Sequence, residues 1–170
     1  MLPLLLTALA LTCVSRSECP EGYFGVGSSC YKVSETRHDW GTAQEVVKEA
    51  FIYQYLLSIS TQYCWSRGGY LAEFLSQEAE ESLDIFINQD VVYWIGLSDF
   101  SHEGSWMWQD SHQAPSYYNW WAGQPDGGGS SNCVLKTWFY DGNGQWFDHD
   151  CNVDYADGQG PIHALCQADQ

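Results

Sequence analysis

The sequence predicts an α+β domain, with two helices flanking small antiparallel β-sheets and long loops between them. Three observations carry that prediction. A helical apolar period follows Ser76, an unbroken apolar run occupies Val91–Leu97, and from there onward short period-two segments alternate with Gly-, Asn- and Asp-rich stretches. The chain's 170 residues suffice for one domain with a substantial core, but not for two.

Residues 1–17 read as a secretory signal peptide. Met1 to Val14 is a Leu- and Ala-rich run too short to span a bilayer, and small residues follow it, so cleavage falls after Ser15 or Ser17. The usual basic start is missing. No later stretch is long and apolar enough to be a membrane span, so residues 18–170 are expected to form a single secreted, extracellular domain. Of the seven cysteines, Cys13 lies in the leader, which leaves Cys19, Cys30, Cys64, Cys133, Cys151 and Cys166. Six cysteines in an oxidising compartment read as three disulfides, with fifteen pairings open on spacing alone. A zinc site competes poorly, because no Cys-x2-Cys knuckle is present.

The net charge of −16 argues against nucleic acid, whose phosphates this surface would repel. It also suits a well-solvated surface, or contact with mineral or cationic polymer. No Asn-x-Ser/Thr sequon occurs. No nucleophile elbow, His-Glu-x-x-His or phosphate loop is present, so an enzyme is not expected. Neither a coiled coil nor a tail sets an oligomeric state.

Each element has its own warrant. Cys19 to Tyr31 looks like a short hairpin with glycine turns and Tyr23, Phe24 and Tyr31 as its apolar faces. A first helix is expected to start near Thr36, with Asp39 completing a weak capping box. The second begins after Ser76, has Glu78, Glu80 and Glu81 near its positive end, and buries a stripe of Ala79, Leu83, Phe86 and Ile87. Residues 91–97 suit a strand covered on both sides, and Trp106 and Trp108 share one face of the next. Further strands are expected over 132–138, 144–147 and 163–167. Trp94, Trp106, Trp108 and Trp146 read as core, and His149 and His163 as surface or filler. Of Trp120 and Trp121, one is expected to pack and the other to lie near a site.

Gly68-Gly-Tyr-Leu-Ala72, Trp94-Ile-Gly-Leu97, Glu103-Gly104 with Trp106 and Trp108, Gln124-Pro125-Asp126 and the final cysteines follow one another in a recognisable order. Together they resemble the C-type lectin domain, and the look is nearest the perlucin-like group of secreted invertebrate lectins. The resemblance implies the pairing Cys19–Cys30, Cys64–Cys166 and Cys133–Cys151. It also implies a cis bond before Pro125 and a Ca2+ and sugar site formed by Gln124, Asp126 and Asp148, with Trp121 beside it. Gln-Pro-Asp is the galactose-type version, so galactose-type glycans are the implied partners. A second, structural calcium position would use Asp99 and Glu103, although Asn132 stands where Asp is common and Gly127 offers no ligand.

Two positions depart from the family plan. An acidic ligand is replaced by Ser131, and an Asn by Phe147. Calcium needs about six to eight oxygens at about 2.3–2.6 Å, so affinity is expected to be weak, toward the millimolar range. The alternative is a calcium-independent protein- or matrix-interaction module on a scaffold that has lost sugar binding. Gln124-Pro-Asp and Asp148 also have plain readings, as a turn and as an acceptor of backbone amides.

Residues 45–62 are anomalous. As helix they would add about 27 Å between the first helix and Cys64, and their apolar residues surround the axis. Joining Gln44 to Tyr63 restores ordinary family spacing. Translated intron sequence and a genuine inserted helical hairpin both remain open as origins.

Overall fold

The computed structural model describes residues 19–37, 59–140 and 142–169. The leader, most of the expected first helix and residues 45–58 of the anomalous segment fall outside these. The amino-terminal hairpin forms as the glycine pattern requires. β1 (Phe24–Val26) and β2 (Ser29–Arg37) pair antiparallel around Gly27, whose φ of 63° suits a residue without a Cβ. The Cys19–Cys30 bridge clips the hairpin with a Cα–Cα distance of 5.5 Å.

One expectation is corrected here. Thr36 lies in β2 instead of opening a helix. Pairing with the carboxy-terminal strand β9 (Gly160–Asp169) continues to Arg37↔His163, and buried Ser34 secures it by accepting from Ala164 N at 2.8 Å. This long-range ladder outweighs a weak local capping box.

Beyond the undescribed residues, α1 (Ile59–Trp65) carries Cys64, which bridges to Cys166 on β9 across a sequence separation of 102. β3 (Tyr70–Leu71) also pairs with β9. α2 (Gln77–Asp84) begins where expected, with the Ser76 hydroxyl accepting from Ala79 N at 3.2 Å. Its buried face differs from the expected stripe. Leu83 and Ile87 face inward, but Ala79 and Phe86 are exposed, and Glu80 takes the inner position at 1% exposure.

The reason lies on the opposing strand. Lys136 is fully buried and is bound to Glu80, to Asp84 at 3.1 Å, and to the Gly144 carbonyl at 2.7 Å. Glu80 also accepts from Trp146 Nε1 at 2.8 Å and Asn119 Nδ2 at 3.3 Å. A buried cation needs such acceptors, so the helix turns its carboxylates inward, while Phe86, beyond its end, stays largely exposed beside Phe24.

β4 (Val92–Ser98) is buried at every residue, as its unbroken apolar run requires. It sits between β9 and β6 (Cys133–Thr137), with β7 (Gln145–His149) outermost, in the order β1-β2-β9-β4-β6-β7. The sheet is mixed and not purely antiparallel, because β4 and β9 run parallel. Short β5 (Met107–Trp108) and β8 (Tyr155–Ala156) attach to β4 and β9. At Gly96 the backbone of β4 meets residues 71–72. Its N–H donates to Ala72 O at 2.9 Å, and a Cβ there would lie 2.7 Å from Leu71 O. The Trp-Ile-Gly-Leu and Gly-Gly-Tyr-Leu-Ala motifs are therefore two halves of one contact. Trp106, Trp108 and Trp146 join a core cluster with Phe74, while Trp94 belongs to a second cluster.

Candidate functional site

The expected site residues meet beside β7. The segment from Asn119 to Gln124 runs along that strand, with Trp146 N donating to Asn119 O at 2.7 Å and Trp121 N to Trp146 O at 3.0 Å. Trp120 turns inward, edge-on to Trp106 at a centroid distance of 4.9 Å. Trp121 stays half-buried and stacks on Phe147 at 5.3 Å and 22°. The Gln124–Pro125 bond is cis. Cys133–Cys151, with Cα atoms 5.2 Å apart, ties the start of β6 to the end of β7.

Gln124, Asp126 and Asp148 form a closed set of hydrogen bonds. Gln124 Oε1 accepts from Asp148 N at 3.0 Å, while its Nε2 donates to Asp126 Oδ1 at 2.9 Å. Asp148 is 8% exposed, and both its oxygens are engaged. Oδ1 accepts from Asp126 N at 3.0 Å and Oδ2 from Gly127 N at 2.7 Å. The carboxylate gathers the turn after Pro125 around one negative group.

These residues do not fit a calcium ion at this position. The set holds two carboxylates, and one of them is committed to backbone amides. Among the described residues, no group of three or more His, Cys, Asp or Glu could hold a metal. Ser131 sits against Gly127, where a Cβ would run into its side chain. Phe147 supplies no oxygen and packs at 4.7 Å against Tyr140. The set leaves the second oxygen of exposed Asp126 and the remaining N–H of half-buried Gln124 for a ligand, and Gln124 N donates to Trp121 O at 2.9 Å, so Trp121 belongs to the same turn.

Asp99 and Glu103 form a different environment. Asp99 is 2% exposed, and its Oδ2 accepts from Gly104 N at 2.8 Å. Its Oδ1 is buried with no hydrogen-bond partner. Glu103 Oε2 approaches to 3.3 Å of where a Gly129 Cβ would sit, and Asn132 O accepts from Asp99 N at 3.3 Å. A buried carboxylate oxygen without a donor is the feature a cation would satisfy.

Several residues around the site were not expected from sequence. Asn119 and Glu80 connect the site segment to the buried Lys136 network. Tyr140 and Gln159 extend its aromatic edge. Only Lys136 left any trace: a lone cation inside an apolar strand, which must find buried anions.

Comparison with known proteins agrees with this architecture. A family model described as the Lectin C-type domain matches residues 54–156. A perlucin-like protein of Mytilus galloprovincialis is 27% identical over 146 residues, covering 84% of this chain and 81% of that protein. A C-type lectin mannose-binding isoform of Oxyuranus scutellatus is 26% identical over 155 residues, covering 91% and 90%. The carbohydrate-recognition domain of mouse scavenger receptor C-type lectin superposes with a TM-score of 0.68 at 22% identity, covering 90% of this chain and 99% of that one.

Proposed function

This chain belongs to the C-type lectin domain family, and we propose that it is a secreted carbohydrate-binding module, not an enzyme, taking galactose-type glycans without calcium in the sugar site. One observation carries the reading. The loop holding Gln124, Asp126 and Asp148 is closed by its own hydrogen bonds, yet it keeps an acceptor on exposed Asp126 and a donor on half-buried Gln124, in the turn that starts at half-buried Trp121. Adjacent sugar hydroxyls suit that pair, with Asp126 accepting and Gln124 donating, while the apolar C–H face of the ring lies on Trp121. The galactose-type class is taken from the resemblance of Gln124-Pro125-Asp126, whose family role runs through calcium, so without the metal the sugar is held by the Gln124 donor and the Asp126 acceptor alone.

Three disulfides and the apolar leader support secretion. Among the described residues, no helix is long and apolar enough to cross a membrane. The net charge of −16 supports glycans over nucleic acid as partners. Galactose affinity measured in a chelator tests the assignment. Absence of galactose binding under any condition would leave the second reading, a protein- or matrix-contact module, which Ser131 and Phe147 favour.

In this reading a structural calcium would sit at Asp99 and Glu103, where it would neutralise the unpaired Asp99 oxygen and brace the loops between β4 and β6. With a dissociation constant near ~1 mM, ~10 mM calcium adds about 1.4 kcal/mol, or a rise of about 3–5 °C in melting temperature. Asp99→Asn is expected to abolish that rise in a thermal melt. A rise of the same size in Asp99→Asn would show that calcium binds elsewhere.

A further inference from the structure

The tip of the β6–β7 hairpin carries an aromatic surface that the Gln124–Asp126 contacts do not use. Tyr140 is 54% exposed, yet it is held in place. Its ring lies 4.7 Å from that of Phe147 and 5.2 Å from that of Trp121. Its hydroxyl accepts from Gln159 Nε2 at 2.8 Å, and Gln159 Oε1 accepts in turn from buried Thr137 at 3.1 Å. An exposed aromatic fixed at both ring and hydroxyl loses little further freedom when a ligand lands on it. Such residues are the usual anchors of binding surfaces.

This surface is continuous with the polar site. Gln124 N donates to Trp121 O at 2.9 Å, so the cradle and the ring that meets Tyr140 at 34° belong to one hydrogen-bonded turn. Its chemistry is an aromatic face with a polar edge. The Tyr140 O–H remains to donate, and so does the second N–H of Gln159. A pyranose ring matches both parts, with an apolar C–H face for the ring and hydroxyls for the edge.

We propose that Tyr140, with Gln159, forms a second sugar subsite next to Trp121, so that the ligand is a galactose-terminated oligosaccharide whose inner residue stacks on Tyr140. This rests on the glycan reading of the Gln124–Asp126 loop. Calorimetric titration of the full chain with galactose and with β-1,4-galactotriose tests it. The trisaccharide binds about tenfold more tightly than galactose, and Tyr140→Ala brings the ratio of the two affinities close to one. Tyr140→Phe keeps the ring and retains most of the gain. Equal affinity of the two sugars for the parent chain overturns the subsite and leaves the glycan reading standing, as does a gain that survives Tyr140→Ala. Failure of both sugars to bind the parent overturns the subsite and the galactose assignment together. Tyr140→Ala loses ring contacts with Phe147 and Trp121 and is expected to melt somewhat lower, so a single cooperative melt above the titration temperature confirms that each variant is folded.

Discussion

Lys136→Ala is expected to lower folding stability by about 3–5 kcal/mol, because it leaves Glu80 buried without its cation. Few single changes cost so much, and this one threatens a domain whose total stability is of order 5–15 kcal/mol. The ammonium group joins three parts of the fold. Glu80 and Asp84 come from α2, the Gly144 carbonyl from the turn before β7, and the lysine itself from β6. Asn119 extends the network into the segment that leads to Trp121. Lys136→Met combined with Glu80→Gln is expected to lose much less than Lys136→Met alone. No uncompensated charge then stays buried at Glu80, and the amide that replaces its carboxylate can still accept from Trp146. Urea denaturation of the three variants measures this, and equal losses in the single and double variants would contradict it.

The same network has a pH signature. Burial pushes the Asp84 carboxyl up to about 6, against the partial opposition of Lys136. The folded state therefore holds a proton that the unfolded state has released between roughly pH 4 and pH 6. This contribution to stability is complete below about pH 4 and is lost as pH rises through about 6. Asp84→Asn removes the slope, so the difference between parent and variant across this window isolates it.

Asp148→Ala is the second large effect, and it bears on function. It removes both acceptors that gather the Asp126 and Gly127 amides. Charged hydrogen bonds are worth about 1.5–3 kcal/mol each, so the loop loses about 3 kcal/mol or more of local stability. Gln124 and Asp126 then lose their common frame, and galactose affinity falls by about a hundredfold. Asp148→Asn keeps one acceptor and falls between parent and Ala. Galactose affinity unchanged in Asp148→Ala would place the sugar elsewhere.

The expectations that held rest on residues whose burial follows from hydropathy alone. Val92–Leu97 has no charged residue to expose, and Trp106, just before β5, joins Trp108 in one core cluster. Ser76 opens α2 because its hydroxyl reaches the Ala79 amide. The inner face of that helix was misread because hydropathy ranks Ala79 and Phe86 above Glu80. The preference reverses only when Lys136, more than fifty positions later, is buried opposite. Thr36 was misread for a similar reason, since its partner strand lies at the far end of the chain.

At the site, the sequence identified which oxygen-bearing residues belong together, and the three do meet. It did not show that they satisfy one another. That depends on two backbone amides pointing at Asp148, and amide direction has no signature in residue type. Phe147 was legible as a missing oxygen but not as the floor beneath Trp121 and Tyr140.

The most direct test of the central claim is calorimetric titration of galactose into the mature chain, once in millimolar calcium and once in excess chelator. The hydrogen-bonded loop predicts the same affinity in both, because its frame is the Asp148 carboxylate. Binding that appears with calcium and vanishes with the chelator would contradict this account and return the metal to the Gln124–Asp126 site.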